Sequence, residues 1–162
     1  MNVSAGRVGQ LVGVAGIVYV LLAFPSGLLA NRFGPRPVMM VGMLMYMVVC
    51  LSGALFITNE AGFTVVLFAG GIAWALVFVN SLPLIMNTDN GRNFGVFAGL
   101  YFFAFQSASI VGPLLSGALV EIAGSQRMMW YVAGGGMLLA FVSLWRVTDQ
   151  EFDDVGAVFA SD

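Results

Sequence analysis

A chain of 162 residues with 60% hydrophobic and only 9% charged residues is not an ordinary soluble domain. Such domains carry roughly 25% charged residues, and a surface this apolar would associate in water. The net charge of −2 removes the electrostatic footing for nucleic-acid binding. His is absent and Cys50 is the lone cysteine, so neither an imidazole relay nor an intrachain disulfide can be built.

Between Val8 and Trp145 the charged residues are Arg32, Arg36, Glu60, Asp89, Arg92, Glu121 and Arg127. They leave uncharged intervals at 8–31, 37–59, 61–88, 93–120 and 128–145. A helix rises about 1.5 Å per residue, so about 20 apolar residues cross a hydrocarbon core of about 30 Å. Five such intervals in succession predict an all-α polytopic membrane protein with five transmembrane helices. The run after Arg7 is too long for a secretory signal, whose apolar core is about 7–15 residues, and no good small-x-small cleavage site follows it.

The first span is expected over 9–30. It runs into Pro25-Ser-Gly-Leu-Leu-Ala-Asn-Arg-Phe-Gly-Pro-Arg-Pro37, with a turn at 31–37 made by Gly34 and Pro35. The second span, 38–58, holds Cys50 as a small buried thiol. The third, 63–86, carries Trp74, Asn80 and Ser81 ahead of Pro83. A flat Trp74 face could stack on a sugar ring, although a Trp in an apolar helix more often packs in the core or faces lipid. The fourth span, 94–122, shows the clearest sidedness. At about 100° per residue, Gly95, Gly99, Gln106, Ser109, Pro113, Ser116 and Gly117 share one arc of about 100°. Phe97, Ala104, Ala108, Val111, Leu115 and Leu119 lie opposite. The small, polar arc suits either close helix packing or a water-filled path faced by Gln106 and Ser109. The fifth span, 129–145, is flanked by Trp130, Tyr131 and Trp145, residues typical of membrane interfaces. The transmembrane domain thus covers 1–147, and 148–162 is an acidic tail with five acids and no base.

Short connections make successive helices antiparallel neighbours. Arg32, Arg36, Arg92 and Arg146 then fall on one side, Arg7 and Arg127 on the other. The positive-inside rule places the four-Arg side in the cytoplasm, with the N-terminus outside and the C-terminus inside a cell membrane.

The first junction carries a family resemblance. Gly27, Leu29, Arg32, Gly34 and Arg36 resemble the Gly-x-Leu-x-Asp-Arg-x-Gly-Arg-Arg/Lys signature between adjacent helices of the major facilitator superfamily. Asn31 stands where the signature has Asp, and Pro35 where a basic residue is common. A second stretch is also similar to that superfamily, and most to its glycoside–cation and sucrose symporter branch. It comprises Asn80-Ser-Leu-Pro-Leu-Ile-Met86, Asn93-Phe-Gly-Val-Phe-Ala-Gly-Leu-Tyr-Phe102 and Ile110-Val-Gly-Pro-Leu-Leu-Ser-Gly117. This register makes the spans equivalent to helices eight to twelve and implies the same orientation as the Arg distribution.

The resemblance implies secondary active transport of a small solute, with a sugar or glycoside favoured. It makes Gly27, Asn31, Arg32, Gly34 and Arg36 gating residues and Gln106, Ser109, Asn80 and Trp74 candidates for the substrate path. The partners it implies are a small solute, the bilayer, and an N-terminal half or second chain. No cofactor is expected: the sequence has no Walker-type loop, metal-ligand cluster or Ser/His/Asp constellation. No charge lies well inside a span, so a proton-coupling carboxylate would belong elsewhere. The rival expectation is a complete five-span scaffold or assembly subunit that transports nothing.

Overall fold

A computed structural model of the chain describes residues 5–57, 59–86 and 93–146. The acidic tail, and Asp89 and Arg92 of the third connection, lie outside the described residues. Within them the chain forms α1 (Ala5–Phe33), α2 (Pro35–Phe56), α3 (Glu60–Met86), α4 (Phe94–Ala123) and α5 (Met128–Arg146). All five are long and apolar enough to cross a membrane. The protein is therefore an all-α, multi-pass membrane protein. Pro25, Pro83 and Pro113 lie inside α1, α3 and α4 without ending them. Membrane helices tolerate such residues because neighbouring groups and local adjustment satisfy the freed backbone.

The expected turn at 31–37 contracts to one residue. α1 continues through Arg32 to Phe33, and α2 begins at Pro35. Gly34 sits between them at φ 88°, ψ 150°, and its N–H donates to Ala30 O at 2.8 Å. A side chain is strained at that φ, so glycine suits the reversal. Pro35 follows naturally, since the first helical residue needs no N–H partner and its φ is already helical. At the other side of the bundle, Asn59 Oδ1 accepts the Gly62 N–H at 2.7 Å and starts α3. α4 stops at Gly124, which adopts the left-handed conformation.

α3 packs against both α1 and α2, and α2 packs in turn against α5. Two glycines allow the closest approaches. A Cβ on Gly42 of α2 would lie 2.8 Å from Leu76 Cβ and 3.1 Å from Ala73 O. A Cβ on Gly71 of α3 would lie 2.7 Å from Ala15 O of α1. Lipid tails are as apolar as leucine, so close van der Waals packing, not water exclusion, holds these helices together. α4 and α5 are the least enclosed: Phe97 is the buried residue of α4, α5 has none, and Phe103, Leu114 and Ile122 of α4 face outward.

Candidate functional site

Polar groups inside a membrane bundle are costly unless paired, so their partners locate the interior that matters. The most enclosed pair joins α1 to α3. Ser26 and Asn80 are both 1% exposed. Asn80 Nδ2 donates to Ser26 Oγ at 2.9 Å and to Leu76 O at 2.8 Å. Ser26 Oγ donates to Ala75 O at 3.1 Å. Asn80 thus reaches the helix interface, with its amide nitrogen engaged by protein. Ser26 is the partner that sequence reading overlooked. A serine beside Pro25 is visible in the sequence, but its pairing with a residue 54 positions away is not.

Asn80 also borders a cavity of about 330 Å³ on the Gly34 side of the bundle, lined by Gly27, Ala30, Asn31, Pro35, Val79 and Pro83 as well. Three signature positions therefore meet, directly or through Pro35, the C-terminal end of α3. Gly27 and Asn31 line this cavity, and Gly34 forms the reversal beside it. Arg32 is exposed and lies over the Phe33 ring, 5.2 Å from its centroid. Arg36 reaches α5. Its Nη2 donates to Leu144 O at 3.1 Å and to Trp145 O at 3.4 Å, at the end of α5.

A second cavity, about 390 Å³, opens on the Glu60 side between α1, α2 and α3. Its walls are aromatic and apolar: Tyr19, Tyr46, Trp74 and Trp130, with Val12, Val49 and Leu67 among them. Trp74 is 37% exposed. One neighbour, Phe78, stacks on it at 6.0 Å with planes 16° apart, and Tyr46 lies 5.7 Å away. Trp130 leans on Gly53 of α2, where a Cβ would come within 2.6 Å of its ring. It is therefore engaged with a helix, while Tyr131 and Trp145 remain exposed.

From Trp74 the aromatic contacts run on through Phe78 to Phe105 of α4 at 5.2 Å, and Phe105 stacks on Tyr101. α4 therefore meets α3 with its aromatic side. Most of the rest of α4 is open, Val111, Leu114 and Leu115 included, and on its small and polar arc Gly95, Gly99 and Gly117 have nothing within 4 Å of a built Cβ. Gln106 and Ser109 are exposed there, with Ser109 Oγ donating to Phe105 O in its own helix. The structure thus does not bring the four path candidates together. Asn80 is enclosed with Ser26, Trp74 lines the aromatic cavity, and Gln106 and Ser109 stand on an open helix face.

Membrane-spanning helices with paired polar groups in their interior define a polytopic bundle of the class that includes channels and secondary transporters. Within that class, this chain belongs to the Major Facilitator Superfamily, whose family model matches residues 1–157. Among curated proteins it is 27% identical, over 78% of its length, to an uncharacterized MFS-type transporter of Methanocaldococcus jannaschii. It is 31% identical over 83% of its length to the Methylenomycin A resistance protein of Bacillus subtilis. It is 24% identical over 88% of its length to the Quinolone resistance protein NorA of Staphylococcus aureus. The chain spans about a third of the length of these relatives: 30%, 28% and 36%. No solved structure matches it.

Proposed function

We propose that this chain forms helices eight to twelve of a secondary transporter that moves a small organic solute by alternating access, together with an N-terminal half. Membrane transport is the function of the family. The observation that carries the finer reading is the open polar arc of α4. Gln106 and Ser109 lie on it with three unobstructed glycines. A polar face left open in a membrane protein suits a water-filled path shared with further helices.

On the same reading the N-terminus lies outside and the C-terminus in the cytoplasm, because the Gly34 side carries Arg32, Arg36 and Arg146. For the substrate, the short Asn-Phe-Gly and Gly-Pro motifs favour a glycoside moved by symport. Two observations favour a ring-bearing, less polar solute instead. The Glu60-side cavity is lined by four aromatic residues, and two relatives are named for resistance to methylenomycin A and to quinolones. We therefore place a ring-bearing organic solute first.

The test is to co-reconstitute the chain with the N-terminal half of a matched relative in proteoliposomes. Flux of a fluorescent planar aromatic cation and of a radiolabelled glycoside is then measured under proton and sodium gradients. Flux of the aromatic probe that needs both halves and falls on Gln106→Ala supports the reading. Glycoside flux alone would restore the symporter branch. No flux of either probe, with both halves present and folded, would favour the five-span scaffold.

A further inference from the structure

A hydroxyl pair bridges α3 and α4. Ser81 Oγ donates to Phe78 O at 2.8 Å, within its own helix. The same oxygen lies 2.8 Å from Tyr101 Oη of α4. A serine hydroxyl has one proton to give. It is spent on Phe78 O, so Tyr101 is the donor and Ser81 the acceptor. Ser109 and Ser116 of α4 bond instead within their own helix, to Phe105 O and Gly112 O. Both members of the Ser81–Tyr101 pair are half-buried.

The two partners fare differently if α4 moves away from α3. Ser81 keeps its bond to Phe78 O. Tyr101 loses its acceptor, and a phenol without a partner inside a membrane bundle is costly. Separation is therefore tolerable only when another acceptor, water or a solute oxygen, reaches Tyr101. We propose that Tyr101 is a positioning residue that couples separation of α4 from α3 to entry of a hydrogen-bond acceptor at the Gly34 side of the path. This rests on the transport reading for its purpose. The coupling itself is a property of the helix pair and can be measured without transport.

The probe is a single Cys at Ala98, half-buried on α4 between Phe97 and Tyr101, in a Cys50→Ala background. Its labelling rate by a water-soluble maleimide is read in lipid nanodiscs. Tyr101→Phe removes the bond while keeping the ring, and is expected to raise labelling about two- to tenfold. Ser81→Ala strands the phenol proton in the closed pair only, and is expected to raise it more than Tyr101→Phe does. The double variant is expected to fall back to the Tyr101→Phe rate, because no stranded donor remains. That rescue separates the proposal from simple packing, where the two losses would add. Equal rates in all variants, or additive increases, would overturn it. The near-isosteric Tyr101→Phe keeps the test valid if Ser81→Ala folds poorly, since an unchanged rate in that variant alone is enough to reject the coupling. Labelling does not require flux, so a failure of the transport reading would show separately in the uptake assay.

Discussion

Arg36 Nη2 donates to the backbone oxygen of Leu144, 108 residues later, at 3.1 Å. The last carbonyls of a helix have no partner in their own helix, and a guanidinium near them also meets the negative end of the helix dipole. Arg36 therefore joins the first turn of α2 to the last turn of α5. A residue that the motif reading assigns to a gate has, in this bundle, a contact that secures the final helix.

Arg36→Ala should consequently destabilise the protein even where transport is not assayed. One charge-assisted bond contributes about 1.5–3 kcal/mol. The loss is to be measured by reversible unfolding in mixed micelles. Arg36→Lys should recover only part of it, because an ammonium is a point charge without the planar fork. Full stability in Arg36→Ala would mean that water or lipid head groups satisfy α5 equally well.

Ser26 and Asn80 should behave as one unit. Hydrogen bonds between membrane helices average about 0.6 kcal/mol and reach about 1.7 kcal/mol in double-mutant cycles. Ser26→Ala and Asn80→Ala should each destabilise, and the double variant should cost less than their sum. Solute affinity should stay unchanged in Asn80→Ala if the amide serves the α1–α3 interface. A clear fall in affinity at undiminished stability would return Asn80 to the substrate path.

Glycines of one helical chain should differ sharply in what they tolerate. Gly42→Ala and Gly71→Ala would place a methyl against Leu76 and against Ala15 O, so each is expected to cost about 1–3 kcal/mol. Gly117→Ala meets nothing within 4 Å and should leave the stability of this chain unchanged or slightly raised. If a further helix covers the polar arc in the assembled transporter, Gly117→Ala should become damaging only there. Comparing the variant with and without the N-terminal half reads this directly.

Topology can be read by single-Cys labelling in a Cys50→Ala background. With the N-terminus outside, Ala61→Cys should react with an impermeant reagent added to intact cells, and Asn90→Cys should not. The reverse pattern would invert the orientation and, with it, the assignment of the spans to helices eight to twelve.

Gln106 tests the path itself. In the reconstituted two-part transporter, Gln106→Ala should weaken solute binding by about 0.5–2 kcal/mol for one lost hydrogen bond. Titration of a fluorescent solute would measure it. Reduced membrane expression at unchanged affinity would instead identify the arc as a packing seam.

The sequence by itself determined the solvent and the element count. Spacing of the charges is a one-dimensional property, and a hydrocarbon layer of fixed thickness converts it directly into spans. The reversal at Gly34 was legible for a similar reason, since Gly-Pro chemistry is local, although the continuation of α1 through Arg32 to Phe33 was not. The sidedness of α4 also follows from its order of residues.

Which side of α4 is packed was decided only by tertiary structure. Periodicity separates the polar arc from the apolar one, but the residues that pack, Phe105 and Tyr101, are picked out by Phe78 and Ser81, supplied by another helix. Partner choice was equally hidden for Asn80 with Ser26 and for Arg36 with Leu144. In a membrane every polar group must find a partner, yet the sequence states only the demand. The crossing and depth of the helices, set by close approaches at Gly42 and Gly71, select which partner meets it.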